Sequence, residues 1–284
     1  MRRRLLPYTS DRPSMEYLKF MGPHRVSVGE LSALGVPGVV FAPVTGPRCP
    51  AVVFGHGWMQ PVGRYADTLR FLASWGFVAA APDSERGPVP SHGGLALDMT
   101  RVADRLADAK LGGGRVTVDP ARRALAGHGI GGGAAVLAAA SWGAGIKAVV
   151  TVSASETTPS AVLAATRVRV PGLHFVGADD VLSPAPSNGE AIARAWGGPV
   201  QLRRIKKARH LSLTEGMHWT SMLIGDGDAK GTQKAVRTLM TAFLMQHLSG
   251  QHQLAEGLSS KYSGAELVDL TPPAAPASTE LAPA

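Results

Sequence analysis

The stretch with the clearest chemical content is Gly127-His128-Gly129-Ile130-Gly131-Gly132-Gly133. An apolar run at 124–126 leads into it, and an alanine-rich run at 134–140 leads out. A strand, a very tight turn and a helix form the setting of the nucleophile elbow, G-x-S-x-G, where a serine hydroxyl at the apex attacks an acyl carbon. The outer glycines stand at Gly127 and Gly131, but the apex holds Gly129. The frame for acyl transfer is legible and the attacking atom is missing. Glycine suits such a turn because it reaches positive φ without a Cβ clash. A side chain held there costs on the order of 1–3 kcal/mol. Exchange of serine for glycine stabilises the turn and closes the covalent route, whether the glycine is native or an inactivating replacement.

His56, Trp58, Asp180 and His210 share one property with Gly129: each falls just after a run that reads as a strand. The continuous apolar run at 51–54 has the pattern of a strand buried on both faces; 77–81, 148–152 and 171–176 read as further buried strands, and 123–126, before the elbow, and 200–205 read as strands too. Shorter strands are expected at 26–28 and 36–42, and 116–120 reads as a connector. Between these runs, apolar residues recur at helical spacing. Tyr65, Leu69 and Leu72 mark one helix, with Gly76 as its C-cap. Leu95, Met99, Val102 and Leu106 mark a second. Residues 189–196 and 232–248 mark two more, the last carrying Val236, Leu239, Met240 and Phe243.

Buried strands alternating with amphipathic helices predict an α/β fold: a mostly parallel central sheet with helices on both faces. In such sheets ligands bind beyond the carboxyl ends of the strands, so the five residues are expected to converge on one cleft. Between 152 and 172 there is room for one short helix, at 160–165, and none for a large lid. Three regions are expected: a basic N-terminal segment at 1–24, the α/β domain at 25–268, and a Pro/Ala-rich tail at 269–284, disordered because it cannot bury a core.

Four segments carry a resemblance to the α/β-hydrolase superfamily: Val53-Phe54-Gly55-His56-Gly57-Trp58, the elbow, Gly177-Ala178-Asp179-Asp180-Val181-Leu182-Ser183-Pro184, and Ala208-Arg209-His210. Within it the sequence is most similar to the dienelactone hydrolase, cutinase and polyester hydrolase branch. The segments stand in the family's order of elbow, acid and histidine. The resemblance implies Asp180 as the acid, His210 as the general base, and the backbone N–H groups of Trp58 and Ile130 as oxyanion donors. His56 and Trp58 would border the substrate, a small apolar or ester-like molecule, with neither cofactor nor metal required. A base takes the hydroxyl proton, an acid orients the imidazole, and two N–H groups bind the developing oxyanion.

Gly129 departs from that pattern. In serine hydrolases, loss of the nucleophile lowers turnover about a million-fold, leaving ~10³–10⁴ over water from the oxyanion hole and binding. The expected function is a pseudo-hydrolase, a binding or regulatory protein using an esterase-like cleft. The alternatives are a carboxylic-ester hydrolase working slowly through water activated by His210, or an inactivated Ser-to-Gly form.

Each residue also has a plainer reading. Asp180 could be a helix N-cap before Pro184, His210 could be a surface histidine in a basic loop, and Asp179 could replace Asp180 as the acid. His56 could bond its own loop, and Trp58 could be ordinary packing. Gly127-x-Gly129-x-x-Gly132 also fits a dinucleotide fingerprint. That motif normally opens the first βα unit, and the nearest acidic candidate here, Glu156, lies past the following strand.

Composition narrows the classes further. The chain has 284 residues, 45% hydrophobic and 18% charged, which is ample for one large globular unit. A lone Cys49 excludes an internal disulfide and a Cys-rich metal site. The formal charge of +8 gathers at Arg2-Arg3-Arg4 with Arg12, Lys19 and Arg25, and at Arg203-Arg204 with Lys206, Lys207 and Arg209. These read as solvated basic faces. No zinc-finger, helix-turn-helix or aromatic-interleaved basic strip points to nucleic acid. Pro7 cuts short the apolar stretch a signal peptide needs, and no run of eighteen apolar residues could span a membrane. A cytoplasmic protein is expected, with peripheral contact to an anionic membrane through the N-terminal arginines left open.

Overall fold

The computed structural model describes residues 13–216, 222, 225 and 227–271. Alternation inside the strands decides which side each residue faces. In β3 (Gly46–Gly55), Val52 and Phe54 join one core while Ala51 and Val53 join the other. In β6 (Val116–His128), Ala124 and Ala126 face the first core and Leu125 the second. Both sets are apolar, so both faces of the sheet must be covered. The first face is covered by α1 (Ala66–Ser74) and α6 (Ala229–Ser249), through Leu69, Leu72, Val236, Leu239, Met240 and Phe243. The second is covered by α2 (His92–Asp108), α3 (Ile130–Trp142), α4 (Ala161–Ala165) and α5 (Gly189–Arg194).

The remaining strands are β1 (Val26–Glu30), β2 (Gly38–Pro43), β4 (Val78–Pro82), β5 (Lys110–Leu111), β7 (Ala148–Val152), β8 (Gly172–Gly177), β9 (Val200–Ile205) and β10 (Ala265–Val268). A short helix, α7 (Ala255–Ser259), precedes β10. The sheet runs β1-β2-β4-β3-β6-β7-β8-β9-β10, with β5 paired to β6. The six strands from β4 to β9 pair in parallel, whereas β1, β2, β5 and β10 join antiparallel. The sheet is therefore mixed and mostly parallel. After β3 the chain adds β4 on one side and then crosses to place β6 on the other. The gap beyond the carboxyl ends of β3 and β6 is thus a topological switch point, where a crevice opens in this class of sheet. Between β7 and β8 only α4 intervenes, and no lid covers that edge.

Several elements differ from the sequence expectation. The 116–120 connector is the first half of β6: Val116 pairs with Gly46 and Val118 with Cys49 before the register shifts to Ala51–Arg123. Pro120, without an N–H, sits in that shift. Residues 13–24 pack onto the domain, with Leu18 fully buried. Within the basic run after residue 202, Arg203 is not on a solvated face. It is fully buried and donates to the carbonyls of Ala265 (3.0 Å), Leu258 (2.5 Å) and Ser260 (3.2 Å). Most of the 269–284 tail and the Arg2–Arg4 cluster lie outside the described residues. Among the described residues, no helix is long and apolar enough to cross a membrane.

Candidate functional site

The site is built at the β3–β6 switch point, and close packing explains its glycines. A Cβ on Gly127 would lie 2.2 Å from the Gly131 carbonyl oxygen, and one on Gly131 would lie 2.2 Å from the Gly55 carbonyl carbon. Any side chain at either position would push α3 off the ends of β3 and β6. The glycine-rich signature is thus largely accounted for by helix–strand approach. Glu156, weighed as a ribose ligand, instead accepts the Val162 N–H (3.0 Å) at the start of α4.

Gly129 stands between β6 and α3 with φ 55° and ψ −124°. This is the strained backbone expected at an elbow apex, in a region that L side chains rarely adopt. A Cβ built there points at the His210 ring, 3.0 Å from Nε2 and 3.4 Å from Cε1, with Gly57 Cα 3.5 Å away on its other side. The apex, the histidine and the loop after β3 therefore meet at one point.

His210 Nδ1–H donates to Asp180 Oδ2 at 3.0 Å, and both residues are buried. The other carboxylate oxygen, Oδ1, accepts the N–H groups of Leu182 (3.1 Å) and Ser183 (2.9 Å). Asp180 is not a helix N-cap, since Pro184 precedes the short 310 turn at Ala185–Ser187; one of its oxygens closes its own turn and the other holds the imidazole. Burial pushes its carboxyl pKa up. The His210 hydrogen bond and charge, the Ser183 N–H and the Ser153 hydroxyl outweigh this and hold the pKa below the usual aspartate value. Asp179, the alternative acid, is exposed and lines the cleft beside the pair. Ser153, just past β7, holds a φ of 44°, rare for a non-glycine residue. With Nδ1 protonated, His210 presents Nε2 as an acceptor toward residue 129.

Trp58 and Ile130 follow β3 and the apex respectively, and no described residue accepts a hydrogen bond from either backbone N–H. The Trp58 ring is 45% exposed and fixed by its Nε1–H to the Pro88 carbonyl (3.0 Å). Exposed Val181 and Leu182 stand on the acid turn. Beside them is an open cleft of about 420 Å³ lined by Asp179, Val181, Arg209 and His210. His56 is corrected. It was expected to border the substrate, but it is fully buried, with its ring nitrogens facing the carbonyl oxygens of Gly57 (2.9 Å) and Ser84 (2.7 Å). Its ring ties the loop after β3 to the loop after β4.

Two supporting networks escaped the sequence reading. Gly57 N–H donates to the Tyr65 hydroxyl (2.9 Å), which donates to His128 Nδ1 (2.8 Å), and His128 Nε2–H donates to the His210 carbonyl (2.7 Å). One chain of bonds thus joins the loop after β3, the elbow and the histidine loop. Burial, aided by the neighbouring His210, pushes the His128 pKa down to about 3, so the ring is neutral and its two nitrogens take opposite roles. Desolvation pushes the Tyr65 hydroxyl pKa strongly up. The second network centres on Glu215. Its carboxylate accepts the N–H groups of Asp67 (2.6 Å) and Thr68 (2.8 Å) at the start of α1, the Thr68 hydroxyl (2.7 Å) and the Arg237 guanidinium (2.8 Å). The preceding Thr214 meets the buried Arg64 side chain. The histidine loop is pinned at its far end to α1 and α6. Tyr65 was visible only as one apolar position of a helix; its polar tip, a hydroxyl that needs a buried partner, was the available signal.

Among the described residues, no group of three or more His, Cys, Asp or Glu is placed to hold a metal ion. Compared with known proteins, the chain matches no family model, and no curated protein is significantly similar to it.

Proposed function

We propose that this chain is an α/β-hydrolase-type protein whose esterase-like cleft binds a small apolar or ester-like molecule, with covalent catalysis removed at Gly129. One observation carries the reading: the hydrogen-bonded Asp180–His210 pair is aimed, at 3.0 Å, at the place where the apex residue would carry its Cβ. The pair supplies a base with an oriented imidazole. The unpartnered N–H groups of Trp58 and Ile130 are available to a carbonyl oxygen. The exposed Trp58 ring, with Val181 and Leu182, offers an apolar rim for the rest of the ligand. A carbonyl bound there would be polarised and held, and nothing on residue 129 could attack it.

The intact Asp180–His210 pair also supports a slower reading, in which His210 Nε2 activates a water toward the same carbonyl. Restoring the hydroxyl tests both. In Gly129→Ser, the new side chain should lie beside His210 Nε2, after the ring retreats by a few tenths of an ångström from the 3.0 Å approach. The variant should hydrolyse p-nitrophenyl acetate far faster than the native chain and react with a fluorophosphonate that leaves the native chain unlabelled. It should also melt lower, because the apex φ disfavours a Cβ. A native rate close to that of the variant would favour the water route. A folded variant that neither hydrolyses nor labels would mean that more than the hydroxyl is missing, and the esterase-type reading would fall. Crystals of the native chain soaked with short acyl esters should show density between Trp58 and His210.

A further inference from the structure

A second cleft, away from the Asp180–His210 pair and independent of its function, is rich in lysine. Its volume is about 520 Å³, within the range of small-molecule sites. Its walls are the 310 turn around Met15–Lys19, the end of β9, the start of α6 and the loop from α7 to β10. Lys19, Lys206, Lys234 and Lys261 border it, with Tyr262 and Ser263 supplying hydroxyls, while the nearby Ser260 hydroxyl donates to the Glu256 carbonyl at 2.7 Å. Two carboxylates are also present, and both are engaged. Glu16 pairs with Lys19 at 2.5 Å, and Asp228 accepts the Gly231 N–H at 3.0 Å as the cap of α6. Since Asp228 already occupies the helix start, the lysines and not the helix dipole give the cleft its character.

Among the described residues, Lys206, Lys234 and Lys261 form no ion pair. The charge continues along α6 into an adjoining hollow of about 250 Å³, which shares Lys19 and Lys234 and adds Lys230. Lys230 and Lys234 are four apart on one helix face, where like charges repel each other. Four lysines lining one concavity, against two carboxylates of which one is paired with Lys19 and the other caps α6, leave a net positive charge there. It fits a ligand carrying several negative oxygens in a small volume.

We propose that this cleft binds a small multivalent oxyanion, held by Lys206, Lys234 and Lys261 with hydroxyl support from Ser263 and Tyr262. The class covers organic phosphates and polycarboxylates. Each ammonium is a strong point-charge donor to such oxygens.

Calorimetric titration of the full chain at low ionic strength, with pyrophosphate, citrate and inorganic phosphate run separately, tests this. Saturable binding of pyrophosphate or citrate, tighter than that of inorganic phosphate and weakened by added salt, is expected. The preference between pyrophosphate and citrate identifies the class of the natural ligand. The triple variant Lys206→Gln, Lys234→Gln, Lys261→Gln should bind at least about tenfold more weakly, which is 1.4 kcal/mol or more. Lys110→Gln with Lys147→Gln should bind as the native chain does. Acetylation footprinting of the native chain gives a readout that needs no variant: bound pyrophosphate or citrate should shield Lys206, Lys234 and Lys261 and leave Lys147 reactive. Absence of saturable binding, unchanged affinity in the triple variant, or uniform shielding of all lysines would overturn the proposal.

Discussion

Acid should unfold this protein through two histidines that have no access to water. His128 and His174 are both fully buried, and burial pushes each pKa down to about 3 from an ordinary value of 6.5. His174 lies in β8, its Nδ1 bonded to the Thr151 hydroxyl (2.8 Å) and its ring edge-on to Trp196 at 4.6 Å. Its Nε2 has no partner, so a proton arriving there would be buried without an acceptor. The sign follows directly. Above pH 6.5 both rings are neutral in the folded and unfolded chains, and neither biases folding. Below it the unfolded chain takes up protons that the folded chain refuses, so stability falls as pH drops from 6.5 toward 3. At pH 4.5 each ring has lost about two pH units' worth, roughly 2.7 kcal/mol, and the pair roughly 5 kcal/mol. That equals the whole stability of a weaker domain. Urea unfolding at pH 7, 5.5 and 4.5 measures the effect directly. His174→Asn keeps a polar atom near Nδ1 and removes the titration. It should lower stability at pH 7 through the space left beside Trp196, and roughly halve the loss between pH 6.5 and 4.5. Growing positive charge also destabilises the acid form, but it does so in both proteins and cancels in the difference. A native chain equally stable at pH 7 and 4.5, or a variant with an unchanged pH slope, would refute the argument.

Three further expectations accompany the hydroxyl restoration at Gly129 and the lysine substitutions. Tyr65→Phe should strand the Gly57 N–H and His128 Nδ1 in the interior, costing roughly 1–3 kcal/mol for a buried group left unsatisfied. In a Gly129→Ser background it should lower kcat more than it raises KM, because the loop bearing the Trp58 N–H loses its tether. Glu215→Gln should weaken the pins at the start of α1 and to Arg237, seen as faster amide exchange across residues 208–216 with β7 and β8 unchanged. Equal exchange in the two proteins would show that Arg64 and Thr214 hold the loop unaided.

Strands and helices were readable where a single local pattern decides them. Residues 51–54 are apolar throughout because helices cover both faces, and the helices at 66–74 and 92–108 show apolar residues at helical spacing because each has one wet side. The glycine-rich turn was readable because a Cβ at 127 or 131 would strike neighbouring backbone and the φ at 129 is positive. What escaped depends on partners far apart in the chain. Tyr65 and His128 meet across 63 positions, and His128 and His210 across 82; no periodicity marks such a pair. His56 looked like a cleft residue because position after a strand is visible in sequence and burial by a distant loop is not. Arg203 looked solvated for the same reason: a run of cations gives no sign that alternation within a strand sends one of them inward.

Arg203 also bears on how the chain completes itself as it is made. Its guanidinium lies in the interior, where burial lowers its pKa, and it donates to the carbonyls at 258, 260 and 265. Those carbonyls leave the ribosome more than fifty residues after Arg203 does. Until then β9 is an open edge with a cation on what will become its inner side. A charge pointing inward is one of the ways proteins keep an unpaired edge from recruiting another chain. The same side chain that later fastens α7 and β10 in place would, during synthesis, guard the edge that they close.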